Sequence, residues 1–476
     1  MLKTLYQECF QATQEDFSLL DTTQQSVLFP DLFHKPLHMA FDDPATSSDG
    51  GSVLLAAVDR RLGLTSALGG CLRDARREAS IQHSYAGMFS QRVYGIALGY
   101  EDANDADRLR RDAMMRLVVA GDAAGQELAS QPSLSRFENS ATIGGLYWMG
   151  MALAETVFDY HRKRLGKRVR QITIDMDPTD TPNFGDQQEL SFYNGHYGDY
   201  CYLPMLGFVS FGDEPDQYLF TAVLRPGNAT ASRGACGILR RALAMVRERF
   251  PKARVLVRLD GGFACPEMFD FLDAEKRLVY VVGMAKNPVL ARRAHRPMGT
   301  ARRLSRESGK SHALFGETRY AAESWKKCQR RVIYKAEVVR LAGRNPRDNA
   351  RFVVTNLRSG PERVYEIYRM RGESENRIKE LQHGLVLDRT SCVKFRANQL
   401  RVLMTAAAYV LLQTLRCRLA KTSLARKQVE SLRLMLLKIG ARVVSSVRRT
   451  TIHMAGNHPW YDDWLVAARV WGAVRT

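Results

Sequence analysis

The run Arg168 to Asp177, RVRQITIDMD, constrains the fold more than any other stretch. Its residues alternate. Ile172, Ile174 and Met176 fall on one face of a strand, and Thr173, Asp175 and Asp177 on the other. One side is fit for a core and the other, ending in two aspartates, for chemistry. Cys201 to Phe211 and Gln217 to Leu224 read as two further strands, and Arg233 to Phe250 as a helix. Ala253 to Asp260 is a buried-type strand, Pro266 opens a helix to about Glu275, and Leu278 to Met284 is another strand. The order β-β-β-α-β-α-β predicts a mixed α/β sheet.

Around this sheet the pattern changes. Residues 1–165 read as a helical region. It includes SVLLAAVDRRLGL, with Ser52 as N-cap and Gly63 as terminator, and a helix over Leu146 to Leu165. A helix-turn-helix fits within it, with no helix singled out for a DNA groove. From Lys286 to Lys335 the chain turns basic. Arg292, Arg293, Arg296, Arg302, Arg303, Arg306, Lys310, Lys326, Lys327, Arg330 and Arg331 meet only three acids there. Arg331 to Leu341 and Arg351 to Leu357 form a hairpin across GRNPRDN. The stretch 286–359 is thus expected to be a basic, partly β insertion: a solvated loop, or a nucleic-acid surface. Cys392 to Leu419 is a long apolar helix fit to cover a sheet, and Leu424 to Ile439 a further helix. The expected divisions are 1–165, 166–285, 286–359, 360–420 and 421–476, the last one helical.

At 476 residues the chain exceeds one ordinary core. Its formal charge of +20 points to a polyanionic partner, nucleic acid first. No apolar run reaches the roughly 18 residues that span a bilayer, since the best, Thr405 to Leu415, is interrupted by Gln413 and Arg416. The start, MLKTLYQECFQATQEDF, lacks a signal-peptide layout. The expectation is a cytoplasmic protein without a membrane. The eight cysteines form no CxxC and match no zinc template.

A second constraint lies at YRMRGESENRIKELQ, Tyr368 to Gln382. A strand-like run, Arg363 to Tyr368, leads into a helix that Gly384 ends. Wound from about Arg371, the helix puts Tyr368, Arg371, Glu375, Lys379 and Gln382 on one face and Ile378 and Leu381 on another. That face is either a solvated set of ion pairs or part of a site. Three acids then fall at the ends of predicted elements: Asp177, Asp260 and Glu375. Strand ends of an open sheet collect at one edge. Brought together, three carboxylates could hold two Mg²⁺ ions for in-line displacement at a phosphodiester. The donors are hard oxygens, with no His or Cys among them.

These motifs carry a resemblance. DMDPTD at Asp175 to Asp180, LDGGF at Leu259 to Phe263, and Y-x-x-R-x-x-x-E at Tyr368, Arg371 and Glu375 resemble the bacterial insertion-sequence DDE transposases. GYEDANDADRLRRD, FYNGHYGDYCYLPM, RGESENRIKEL and FRANQLRVLMTAAAYVLL look like insertion-sequence family 1380. The resemblance runs from about Phe41 to about Arg448. It implies a ribonuclease-H-like catalytic domain with a β-rich insertion between the second and third acids, and a cut-and-paste transposase acting on its own terminal inverted repeats. It further implies two Mg²⁺ ions, with Mn²⁺ as substitute, double-stranded DNA as partner, a homodimer on paired DNA ends, and association with the nucleoid when DNA is bound. Asp177, followed by Pro178 and Thr179, matches the first acid, with Asp175 the alternate; Asp260 is the second and Glu375 the third. Tyr368, Arg371 and Lys379 would meet a phosphate, Lys379 standing in for a lysine where this chain has Gln382. In the insertion, Arg292, Arg293, Arg302, Arg303, Lys326, Lys327 and Arg330 would contact DNA. Trp325 reads first as a core residue and second as a ring for a flipped base. The alternative function is a catalytically silent DNA-binding protein derived from a transposase.

Overall fold

The computed structural model describes residues 26–28, 34–35, 37–39, 42–183, 187–325, 328–419 and 422–474. The N-terminal stretch with Cys9, and Lys326 and Lys327, lie outside the described residues. The eight strands of the main sheet are, in chain order, β1 (Gln171–Pro178), β2 (Met205–Phe211), β3 (Tyr218–Val223), β4 (Arg254–Leu259), β5 (Leu278–Met284), β6 (His312–Tyr320), β7 (Arg330–Val339) and β8 (Arg347–Thr355). Their spatial order is β6-β7-β8-β5-β4-β1-β2-β3. The centre is parallel, β4 pairing with β1 on one side and β5 on the other; the flanking pairs are antiparallel. The sheet is therefore mixed α/β, as the element order predicts.

Alternation explains why the central strands read as apolar runs. Val255, Val257, Tyr280, Val282 and Val354 face the main core, while Leu256, Val279, Val281 and Val353 face a second core. Both faces are covered, so both sets of side chains must be apolar. On β1, Ile172, Ile174 and Met176 join the main core, and the aspartates fall on the other face.

The main core is built by α1 (Val53–Leu62), α2 (Tyr85–Leu98), α3 (Ile143–Leu165), α4 (Ala235–Arg249) and α5 (Pro266–Ala274), packed with a long helix described below. Gly63 ends α1 in the left-handed conformation at φ 68°, as expected; Ser52 stands at the N-cap but its side chain makes no capping bond. The N-terminal helices share one core with the sheet and the C-terminal segments. The seven described cysteines are free.

The insertion differs from its expected form. It contains a helix, α6 (His295–Ser308), and its three strands β6, β7 and β8 extend the main sheet through the β8–β5 pair. α6 escaped the sequence reading because it buries only a narrow stripe, Met298, Ala301 and Ser305, beneath an arginine-rich surface. The strand-like run at 363–368 is a helix, α7 (Pro361–Arg369). Its apolar residues suit either period, but Val364, Tyr365, Ile367 and Tyr368 recur at helical spacing against the second core, and Pro361 opens the first turn. α8 (Gly372–Lys379) follows directly and passes into a π-helical turn, Glu380–Gly384. The expected helix over Leu424 to Ile439 is helical in part, a 3-10 turn, Ser423–Arg426, followed by a short helix, Val429–Leu432, that passes into a π-helical turn, Arg433–Leu437; the C-terminal segment carries strands Ala441–Ser445 and Thr450–Met454 before a helix, Tyr461–Val470.

The long helix of the core, α9 (Phe395–Cys417), is long and apolar enough by composition to cross a membrane, yet 94% of its apolar window is buried inside the molecule. Its polar residues are satisfied internally. Gln413 accepts from the Leu219 amide and donates to the Gln217 carbonyl. Arg416 donates to Glu380 at 2.6 Å, and Glu380 also accepts from Tyr409 at 2.6 Å and from Arg377 at 2.8 Å. This cluster ties the end of α8 to α9. Burial alone would raise the Glu380 carboxyl, but Arg416, Arg377 and Tyr409 together outweigh it and hold the group below its ordinary value. Replacing Glu380 with Ala strands a buried guanidinium and should cost about 3–5 kcal/mol, read as a lower urea midpoint. Because its folded value is depressed, the stability that Glu380 contributes should be present at neutral pH and fade as pH falls through that value.

Candidate active site

Met176 of β1 pairs with Leu259 of β4 in parallel register, so Asp177 and Asp260 are the next residues along neighbouring strands. Such strands run about 4.8 Å apart, which sets the two carboxylates side by side at one sheet edge. LDGGF explains itself locally. Asp260 caps the short turn Gly261–Phe263 by accepting from the Gly262 amide at 2.9 Å, and Phe263 anchors the turn in the core. A Cβ on Gly262 would lie 2.7 Å from the Ala231 side chain.

The third acid reaches this edge through an arginine. Arg371 donates to Asp177 at 2.5 Å and to Glu375, one turn along α8, at 3.1 Å. The Tyr368 hydroxyl lies where a Cβ on Gly283 would be 2.5 Å away, so the glycine in LVYVVGM leaves room for it. Gln382 donates to the Thr179 hydroxyl at 2.8 Å and also to the Asp180 carbonyl, fastening the π-helical turn to the end of β1. Lys379 is exposed on α8.

Asp175 takes a different part. It is buried, accepts two bonds from Arg258 at 2.8 and 2.7 Å, and accepts a third from Gln217 at 2.8 Å. Arg258 in turn donates to the Ile367 carbonyl of α7. Asp175 is thus a structural anchor, while Asp177, two residues on, faces the other acids.

Charge is crowded here. Burial pushes the Asp177 carboxyl up to about 6; Arg371 opposes this, and Asp260 and Glu375 add to it. Burial disfavours the Arg371 cation, but Asp177, Tyr368 and Asp260 outweigh that and hold its pKa above the ordinary value. Among the described residues, no group of three or more His, Cys, Asp or Glu side chains is gathered to hold a metal ion as it stands. Two carboxylates, Asp177 and Glu375, pair with Arg371, and the charge of Asp260 also acts on it; carboxylate oxygens are the donor type that suits a hard divalent cation. Arg371 supplies the positive charge that offsets Asp177 and Glu375.

Beside the acids lies a groove of about 260 Å³, walled by β7, β8, α7 and α8. It presents Lys335, Arg351, Arg369 and Arg371 with Glu337 and Glu375. The sequence reading missed Lys335, Arg351, Arg369 and Gly283. A signal existed in the cations of the predicted hairpin, but only strand register turns them toward Glu375. A separate apolar cavity of 560 Å³ between α3, α4, β3 and α9 contains none of these three acids.

The insertion's expected DNA contacts divide. Trp325 is buried, edge-on to Phe269, and is a core residue in accord with its first reading. Arg330 is a correction. It is buried against Phe269, paired with Asp270 and Asp273 at 2.9 Å, and faces inward because β7 begins under α5. Arg302 is paired with Asp348 and Arg303 with Glu307, on the exposed side of α6. Arg292 and Arg293 are exposed, the latter donating to Thr318 at 2.6 Å.

The family model described as "Transposase DDE domain group 1" matches residues 29–470. No curated protein matches the chain. Among solved structures, the cryo-EM structure of the piggyBac transposase synaptic complex with hairpin DNA is similar at TM-score 0.38 and 9% identity, covering 81% of this chain and 80% of that one.

The crowding of Asp177 has a measurable sign. Its folded value, about 6, lies above the ordinary 3.8, so the native chain binds the extra proton between them and loses stability as pH rises across that window. In metal-free buffer, Asp177→Asn should therefore gain stability relative to the unsubstituted protein between pH 4 and about 6. Urea denaturation at several pH values checks this, and a constant difference would refute the crowding.

Proposed function

The chain belongs to the transposase DDE domain family, group 1, and from that membership we propose that it is a cut-and-paste DNA transposase of the insertion-sequence family 1380 kind, with a ribonuclease-H-like catalytic fold. The observation that carries this reading is the set Asp177, Asp260 and Glu375, two at adjacent parallel strand ends and the third tied in by Arg371. In the reaction, water attacks a phosphodiester at the element's terminal repeat and frees a 3′-hydroxyl. That hydroxyl then attacks a target phosphodiester, forming one P–O bond and breaking another.

Asp177, Asp260 and Glu375 would hold two Mg²⁺ ions, or Mn²⁺ in their place, which when bound supply Lewis-acid activation of the attacking and leaving oxygens. Arg371, released from Asp177 and Glu375, and the Tyr368 hydroxyl beside it would hold the phosphate next to the cut. Lys335, Arg351 and Arg369 in the groove would bind the DNA backbone beyond, with Lys379, Arg292, Arg293, Arg302 and Arg303 more peripheral. Residues 1–165 would read the terminal repeat, 166–285 and 360–420 carry catalysis, 286–359 clamp the strand, and 421–476 complete the fold. Simultaneous cutting of two ends implies a homodimer on paired DNA ends, in the cytoplasm and on the nucleoid.

Purified protein with Mg²⁺ should nick, then join, duplexes carrying the inverted repeats that flank its gene. Absence of both nicking and joining refutes the enzyme; cutting without joining makes it a nuclease. Asp260→Asn, Asp177→Asn and Glu375→Gln should abolish cleavage with binding largely kept, and retained cleavage removes that residue from the site. Binding should weaken steeply with salt as Lys and Arg displace counterions.

A further inference from the structure

We propose that the hairpin of residues 192–202 is a stacking platform for unpaired nucleobases of the DNA strand that enters the carboxylate site, an inference that rests on the transposase reading. Strands Phe192–Asn194 and Asp199–Tyr202 pair antiparallel, with Tyr193 opposite Tyr200 and their rings 5.7 Å apart. These rings are not packed away. Tyr193 is 58% exposed, Tyr200 52%, Tyr197 39% and Phe192 38%. Exposed aromatic clusters of this kind mark binding surfaces.

The platform is braced by hydrogen bonds and hangs from the end of β1. Asn194 accepts from the His196 amide at 2.9 Å and donates to the Gly227 carbonyl at 2.8 Å, while Gly198 turns the chain at φ 76°. The hairpin hangs from the acid-bearing end of β1: Thr181 and Pro182, directly after Asp180, pair with Tyr202 and Cys201. Burial and then the charges of Asp180, Asp177 and Asp260 push the Tyr197 phenol up to about 12.

The chemistry selects the occupant. Residues 192–202, FYNGHYGDYCY, include no Lys or Arg, so the surface offers rings rather than phosphate partners. The groove with Lys335, Arg351 and Arg369 supplies the cations. A strand whose phosphate reaches Asp177 brings its neighbouring bases to this hairpin. Only an unpaired base has a face available, and stacking accepts any base.

The test compares full-length protein on a blunt duplex of the gene-flanking repeat and on the same duplex with a single-stranded overhang containing a fluorescent adenine analogue. The unsubstituted protein should prefer the overhang by about tenfold or more and quench the analogue. Tyr197→Leu with Tyr200→Leu should lose the preference and the quench while keeping blunt-duplex affinity and thermal unfolding; the corresponding Phe pair should keep both. No preference in the unsubstituted protein, or a preference retained by the Leu pair, overturns the platform. A Leu pair that alters oligomeric state instead overturns it too, making the patch an interface between copies. Failure to bind either duplex refutes the transposase reading itself.

Discussion

The parallel ladder between β1 and β4 is the constraint on which the rest depends. Its register puts Met176 beside Leu259, and everything chemical follows one residue later. Parallel strands need both faces covered, and the two cores divide the alternating side chains of β4, β5 and β8 between them. The same ladder holds the Asp175–Arg258 pair, which fixes α7 through the Ile367 carbonyl. A buried ion pair of this sort adds little net stability over an apolar pair, but removing one partner leaves a costly charge.

From that ladder the third acid is positioned by two polar clusters on one helical segment. Arg371 joins its beginning to Asp177, and Glu380 joins its end to Tyr409 and Arg416 of α9. Between them Ile378 and Leu381 are buried. Glu375 is thereby held near the sheet edge while remaining exposed. The excess of negative charge is balanced internally by Arg371.

The insertion acts as a continuation of the sheet. Because β8 pairs with β5, the hairpin β7–β8 stands beside α7 and α8, and its cations form a groove that opens onto Glu375. Its arginines are not equivalent: Arg330 packs inward on Phe269, whereas Arg292 and Arg293 lie outside. Composition shows a basic surface, but sidedness comes from register.

The sequence by itself determined the strands β1, β4 and β5, the long helix α9 and the terminator Gly63, because period and local capping are properties of short windows. It left Asp175 and Asp177 both open, since alternation puts them on one face. Only tertiary structure separated them, by burying Asp175 against Arg258 and turning Asp177 toward Arg371. It misread 363–368, where apolar spacing suits a strand and a helix alike, and it missed α6, whose buried stripe is narrow. The groove cations and the role of Gly283 were not legible either. They depend on contacts across many residues of sequence, which no local pattern records.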